Sequence, residues 1–369
     1  MKIIHCADLH LDSKMTANLT SEQARERQAE LLNTFKKMIA YAKGMQVKAI
    51  IIAGDLYDKK SISRAARNTF YDAIVENSEI DFYYLQGNHD ADSFLNSLED
   101  VPQNLKIFSN EWKTYVVNEN GKKNITITGV ELNQENSNLI YSSLVLNTDL
   151  FNIVTLHGQD AEHIAKEKVE VIALSQLKNK GIDYLALGHV HAYKEGPLDR
   201  RGTYCYCGCL EGRGFDECGE HGFVLIDIDE ETRNCTRTFI PAASRNLYTV
   251  EVDVSGCMTT SDISNRVRTT LDKRGIEKKH LVKIVLVGSV DVECEKNIHY
   301  LTKEFETRFY FLKIYDETKI KVDYQEFRLD ESLKGEFVRT VMSTMDISEE
   351  EKGIIIRYGI QALAGEEME

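Results

Sequence analysis

Proline is nearly absent, with three in 369 residues, at positions 102, 197 and 241. So few exclude a collagen-like repeat or a proline-rich spacer. Tryptophan occurs once, and no apolar stretch approaches the ~18 residues a membrane-spanning helix needs. The N-terminus also lacks the apolar core of a signal peptide, because Met1-Lys2-Ile3-Ile4 runs straight into His5 and Asp8. Eight irregularly spaced cysteines are too few for a disulfide framework, and reduced thiols in a cytoplasm are the simpler expectation. Positive charge is the minority, with 45 Lys+Arg against 59 Asp+Glu and a net charge of −14. That balance argues mildly against a surface coated in nucleic acid, although it says little about a local site. What is present is 42% hydrophobic and 28% charged residues, which excludes disorder as a description of the whole chain. The length suggests two domains at about 150 residues each.

The first half alternates strand and helix. Lys2 to Ala7 reads as a short buried strand ending at Asp8. Thr20 with Gln23 forms a capping box, and Leu31, Leu32, Phe35, Met38, Ile39 and Ala42 follow at helical spacing up to Gly44. A strand over Val47–Ala53, a helix over about 63–76 and a strand over Ile80–Leu85 continue the pattern. That order implies a sheet buried under helices. Further strands are expected at Phe151–Leu156 and Tyr184–Leu187, then a β-rich run over about 202–240. The expected domains are 1–245, then a compact α/β unit over 246–330, then a helical tail over 331–369.

The informative feature is what stands at the strand ends. Asp8-Leu9-His10 follows the first strand, and a period of two would aim both side chains to one side. Gly54-Asp55 follows the second strand and Gly87-Asn88-His89-Asp90 the third. His157-Gly158 and Gly188-His189-Val190-His191 follow the two later ones. One such fragment is usually a turn held by Asx hydrogen bonds. Five in succession are not explained by turn chemistry, and carboxyl ends of strands are where open α/β sheets bind ligands.

Asp8-x-His10, Gly54-Asp55-x-x-Asp58, Gly87-Asn88-His89-Asp90, His157-Gly158 and Gly188-His189-x-His191 resemble, in order, the five signature motifs of the calcineurin-like metallophosphoesterases. The likeness covers essentially residues 1–245. The opening from His5 to Ser13, the stretch Gly208–Phe215 and the α/β unit after 246 resemble the SbcD-type DNA repair exonuclease branch. The resemblance implies a four-layer αββα sandwich with a small α/β capping domain and a helical C-terminal tail. It implies two divalent ions per chain, one held by Asp8, His10 and His191 and the other by Asn88, His157 and His189, with Asp55 bridging. His89 would be the catalytic group that protonates the departing oxygen, and Asp58 the partner that fixes its tautomer, with capping of the turn after Asp55 as the competing account of Asp58. Mixed imidazole and carboxylate ligation suits Mn2+ first, with Fe2+ or Mg2+ as alternatives. Two such ions, about 3.5–4 Å apart, grip both the attacking and the leaving oxygens of an in-line displacement.

The implied activity is a Mn2+-dependent DNA exonuclease, with single-strand endonuclease activity as an extension, working in DNA repair with an SbcC-like coiled-coil ABC-type ATPase. A small-molecule or protein phosphoesterase is the rival within enzymes, and a non-catalytic DNA-tethering scaffold the rival from another class. DNA and the ATPase are the expected partners, a homodimer is left open, and no membrane is involved. Between positions 266 and 283, seven basic residues face two acidic ones. Arg266, Arg268, Lys273 and Arg274 of that run, together with Arg213, are candidate phosphate contacts. A solvated helix face is the competing account of the run, and pairing with an acidic neighbour that of Arg213. The run Cys205-x-Cys207-x-Cys209 would lie on one face of a strand, and small buried thiols are its favoured account. The tail carries nine acidic and four basic residues with two apolar clusters, and by the resemblance would bind the ATPase; docking onto the protein's own body is the alternative.

Overall fold

The computed structural model describes the whole chain except residues 17–18, 59–61, 88–89, 91–93, 95–99, 120–121, 162–170, 293, 322–326, 328 and 365–369. It divides into two compact units, Met1–Asn246 and Leu247–Glu369. Among the described residues no helix is long and apolar enough to cross a membrane.

The first unit runs β1 (Lys2–Cys6), α1 (Ser21–Gly44), β2 (Ala49–Ala53), α2 (Arg64–Val75), β3 (Asp81–Leu85), β4 (Leu105–Ile107), β5 (Lys113–Glu119) and β6 (Lys122–Gly129). It continues through α3 (Ile140–Ser143), β7 (Phe151–His157), β8 (Gln159–Asp160), β9 (Val171–Ile172), α4 (Leu174–Leu177) and β10 (Tyr184–Gly188). β11 (Lys194–Pro197), β12 (Thr203–Tyr206), β13 (Gly222–Ile228) and β14 (Cys235–Pro241) complete it. Two six-stranded sheets result, ordered β14-β13-β1-β2-β3-β4 and β11-β12-β10-β7-β6-β5. Within them β1 to β4 are parallel, as are β6, β7, β10 and β12.

Alternation along the strands builds the layers. Ile3, Ile51, Ala53, Tyr83, Leu85 and Ile226 of the first sheet face Ile127, Ile153, Tyr184 and Ala186 of the second. The other face of the first sheet, Ile4, Ile50, Ile52, Phe82 and Tyr84, packs on Leu31, Phe35 and Met38 of α1 and Phe70 and Ile74 of α2. The outer face of the second sheet, Val154, Leu156, Leu185 and Leu187, packs on Ile140, Tyr141 and Leu177 of the short α3 and α4. This is the expected αββα sandwich. Burial on both faces is why β2 reads Ala-Ile-Ile-Ile-Ala without polar interruption. The capping box of Thr20 and Gln23 starts α1 as its spacing predicts. Arg27 of α1 is buried, ion-paired to Glu211 at 3.0 Å and Glu30 at 2.5 Å, and so ties the helix to the loop after β12.

The second unit contains β15 (Leu247–Asp253), α5 (Thr260–Arg274), β16 (Leu281–Val287), β17 (Ser289–Asp291), α6 (Ile298–Phe305), β18 (Phe311–Asp316), β19 (Lys319–Lys321), α7 (Leu333–Ser343) and α8 (Glu349–Ala364). Its parallel sheet β15-β16-β18 packs on Ile263, Val267 and Leu271 of α5 and Leu301 and Phe305 of α6. The helices of 331–369 belong to this unit, because Val338, Val341, Ile356 and Ile360 are buried in one cluster with Val292 and Phe327. Ile354, Ile355 and Tyr358 of α8 stay exposed at 45%, 40% and 48%.

Candidate metal centre

The carboxyl ends of β1, β2 and β3 in one sheet and of β7 and β10 in the other meet at one edge of the sandwich. The loops after β1 and β2 are laced together, with Asp8 N–H donating to Gly54 O, His10 N–H to Asp55 O and Leu11 N–H to Leu56 O, each at 3.0 Å. Across the two sheets, His157 Nδ1 lies 2.9 Å from Ala53 O, and within the second sheet Gly188 pairs with His157 in register. No side chain fits at these crossings. A Cβ on Gly54 would lie 2.1 Å from His157 Nδ1, one on Gly87 2.2 Å from Asp55 Oδ1, and one on Gly188 1.9 Å from Ala53 O.

Into this edge the chain brings five of the seven expected donors, and His189 belongs to neither group that they form. Asp8, His10 and His191 form one group whose ligand atoms lie within 4.8 Å of one another, and Asp8, Asp55 and His157 form a second. His10 Nε2 and His191 Nε2 are 3.4 Å apart. Asp8 is common to both groups, and Asp55 Oδ2 lies 3.8 Å from His10 Nε2 and 3.4 Å from His157 Nε2. The ring of His189 packs edge-on to that of His157, centroids 5.3 Å apart, while its backbone N–H donates to both Asp8 oxygens at 2.9 and 3.0 Å. Asn88 and His89 lie outside the described residues. The period of two, carried past the end of the strand, would aim Asp8 and His10 to one side, but the strand ends at Cys6 and its geometry does not continue. Both residues instead adopt left-handed backbone, φ 50° and 42°, as do Asp55 at 53° and His189 at 96°. Such conformations are strained for residues with a Cβ and concentrate where surrounding contacts over-determine the chain.

Outer partners fix the rings. His157 Nδ1 against a carbonyl must donate, which leaves Nε2 as the acceptor nitrogen of the neutral ring. Burial opposes charge on this ring, but the hydrogen bond and negative charge of Asp55 prevail and raise its pKa to about 9. His10 Nδ1 is 2.6 Å from Asp58 Oδ1, and His191 Nδ1 is 2.7 Å from Glu217 Oε1. Asp58, expected beside His89, thus faces His10, and Arg213 NH1 reaches the same oxygen at 3.1 Å. Burial would raise the Asp58 pKa, but His10 and Arg213 hold it below the usual carboxylate value. Arg213, expected to contact phosphate, also pairs with Glu217 at 2.9 Å. Asp90 accepts from Tyr57 N–H at 2.8 Å and Gly87 N–H at 3.0 Å, and burial raises its pKa to about 6 against those bonds. Sequence reasoning missed Glu217 and gave Asp90 no role. The Arg213–Glu217 spacing of four beside Gly212 and Gly214 was the one available signal.

The remaining candidates stand on other elements. Arg266, Arg268, Lys273 and Arg274 are exposed on α5 of the second unit. Of these, Arg266 donates to Asp253 O at 3.2 Å and Arg268 is ion-paired with Glu304. The three cysteines do not share one strand face, because β12 ends at Tyr206 and Gly208 turns the chain at φ 76°. Cys205 and Cys207 are buried between the sheets, and Cys209 Sγ is 3.3 Å from His221 Nδ1. Among the described residues neither potential metal group includes a cysteine.

The family model "Calcineurin-like phosphoesterase" matches residues 1–193, the segment that supplies every one of these donors. The chain belongs to the calcineurin-like phosphoesterases. Members are metal-dependent hydrolases, and the fold implies a dinuclear divalent centre. The donors present fit that requirement, with carboxylate and imidazole atoms converging and every histidine Nδ1 described above engaged by an outer partner. This phosphoesterase is similar to three curated proteins. Uncharacterized metallophosphoesterase YhaO of Bacillus subtilis is 27% identical, over 62% of this chain and 57% of the relative. DNA double-strand break repair protein Mre11 of Saccharolobus solfataricus is 22% identical, over 97% and 94%. The SbcD component of the nuclease SbcCD from Escherichia coli K12 is 24% identical, over 61% and 64%. The match therefore spans less than two thirds of the Bacillus and Escherichia proteins and nearly all of the archaeal one.

Proposed function

We propose that the phosphoesterase is a Mn2+-dependent DNA exonuclease that works with an SbcC-like coiled-coil ABC-type ATPase in DNA repair. The likeness to an Mre11 protein over 97% of the chain carries this reading, because it extends through both units rather than stopping at the phosphoesterase domain. One ion would be held by Asp8, His10 and His191, the other by Asn88, His157 and His189, with Asp55 shared. Bound there, the ions supply positive charge that draws a phosphate and stabilises the oxygens of an in-line displacement. Asp8 and Asp55 bring two negative charges against four positive, so the centre stays attractive to an anion. Asp58 and the carbonyl of Ala53 orient His10 and His157. His89 is the proton donor to the departing oxygen in this reading.

Residues 246–330 would form the cap, where Arg266, Arg268, Lys273 and Arg274 would meet the DNA backbone. The exposed Ile354, Ile355 and Tyr358 of the tail would meet the ATPase. The test is digestion of end-labelled single- and double-stranded DNA with Mn2+, Mg2+ or chelator, with and without the ATPase, beside a chromogenic phosphodiester. Mn2+-dependent DNA cleavage, absent in His89→Ala, is expected. Turnover of the ester with DNA intact under every condition would replace this reading by a small-molecule phosphoesterase.

A further inference from the structure

His191 Nδ1 has two neighbours of opposite demand. Glu217 Oε1 lies 2.7 Å away and can only accept a hydrogen bond, and Arg213 NH2 lies 3.0 Å away and can only donate one. A neutral imidazole carries one proton. If it sits on Nδ1 and is donated to Glu217, the Nε2 lone pair is free, and Nε2 faces His10 Nε2 at 3.4 Å within the donor group. If Nδ1 instead accepts from Arg213, the proton moves to Nε2 and that lone pair is lost. Residues four apart in one loop thus pull the ring toward opposite tautomers.

We propose that Glu217 is a positioning residue that selects the Nδ1–H form of His191 against Arg213, and so keeps Nε2 open to a metal. This rests on the reading of His191 as a ligand. Glu217 is only 8% exposed at its side chain, and it occupies Arg213 as well as His191. It accepts from Arg213 Nε at 3.1 Å, from NH2 at 2.9 Å, and through Oε2 from the Arg213 backbone N–H at 2.7 Å. NH1 is drawn to Asp58 at 3.1 Å, and that carboxylate faces the Nδ1 of His10. One cation therefore links the two carboxylates that each address the outer nitrogen of a histidine in the same donor group.

The measurement is Mn2+ affinity of the full chain by electron paramagnetic resonance, with the nitrogen chemical shifts of the neutral His191 ring in the metal-free protein. Glu217→Ala should weaken Mn2+ binding by about 10- to 100-fold, the usual effect of losing such an outer partner. Glu217→Gln, whose amide oxygen still accepts, should recover part of it. Glu217→Ala with Arg213→Ala should bind more tightly than Glu217→Ala alone, since the competing donor is gone, whereas a merely structural role makes the double variant worse. An Nε2–H ring in the unaltered protein overturns the inference, as does Glu217→Ala with unchanged affinity or a double variant no better than the single. His191→Ala separates the two levels. Unchanged Mn2+ affinity there sinks the ligand assignment itself, while loss there with none in Glu217→Ala sinks only the role of Glu217.

Discussion

Replacing Gly188 by alanine tests the convergence of the two sheets with a single methyl group. The added Cβ would stand 1.9 Å from Ala53 O, 2.8 Å from His157 Nδ1 and 2.9 Å from Ala7 Cβ. Reaching even 3.0 Å from the carbonyl requires a shift of about 1.1 Å, and the atoms in the way are a backbone oxygen, a ring nitrogen and a Cβ rather than the end of a flexible side chain. That carbonyl is the partner of His157 Nδ1 at 2.9 Å, so the shift must lengthen or turn the bond that aims the imidazole. Overpacking of this kind costs about 1–3 kcal/mol, or roughly 2–12 °C in Tm for a unit of this size. Misplacing reacting groups by about 1 Å costs about 100-fold in rate. Thermal unfolding and Mn2+-supported hydrolysis of a chromogenic phosphodiester read the two effects. Gly44→Ala is the control, with nothing within 4 Å of its Cβ at the end of α1, and should be neutral or slightly stabilising. Wild-type turnover and wild-type Tm in Gly188→Ala would refute the reasoning.

Three further outcomes are expected. Arg27→Met should destabilise by about 3–5 kcal/mol in urea unfolding because it leaves the Glu211 carboxylate buried without its cation, and Glu211→Gln added to it should restore part; no recovery would mean the pair is not the cause. His5 is fully buried between the sheets beside the Tyr184 hydroxyl at 2.8 Å, and burial lowers its pKa to about 3. The unfolded chain then takes up a proton below about pH 6.5 that the folded chain refuses, so stability falls as pH drops from there toward 3, by about 2 kcal/mol at pH 5. Unfolding at pH 7 and 5 should show that loss, and His5→Gln should lack it; equal pH dependence in both would remove the explanation. Chelation should lower Tm, since Mn2+ at 100 times its Kd adds about 2.7 kcal/mol, and Asp55→Asn should erase most of the difference between Mn2+ and chelator. A Tm indifferent to chelator with Asp55 intact would contradict the converging donors.

Much of the catalytic half was legible in order along the chain. Uninterrupted apolar runs such as Ile50-Ile51-Ile52 marked strands buried on both faces, and Asp8, Asp55, His157 and His189 stood where such strands stop. Periodicity and strand-end chemistry are local properties, so residues close in sequence suffice to reveal them. What they do not reveal is how the chain turns after a strand. Asp8 and His10 come together through left-handed backbone and bonds to the β2 loop, not through strand alternation. Nor do they reveal which carboxylate serves which ring. Asp58 meets His10, 48 positions away, and Glu217 meets His191 across 26, with Arg213 holding both carboxylates. Those pairings depend on loops from different strands arriving at one edge. Cys205 and Cys209 diverge for a related reason, since one positive-φ glycine between them redirects the chain. The sequence by itself determined which strands are buried and the donor types, because burial and ligand chemistry are written in residue identity. Only the tertiary structure decided the partners of each donor, because polar contacts of 2.6–3.1 Å between distant loops are set by where the two sheets bring their ends together.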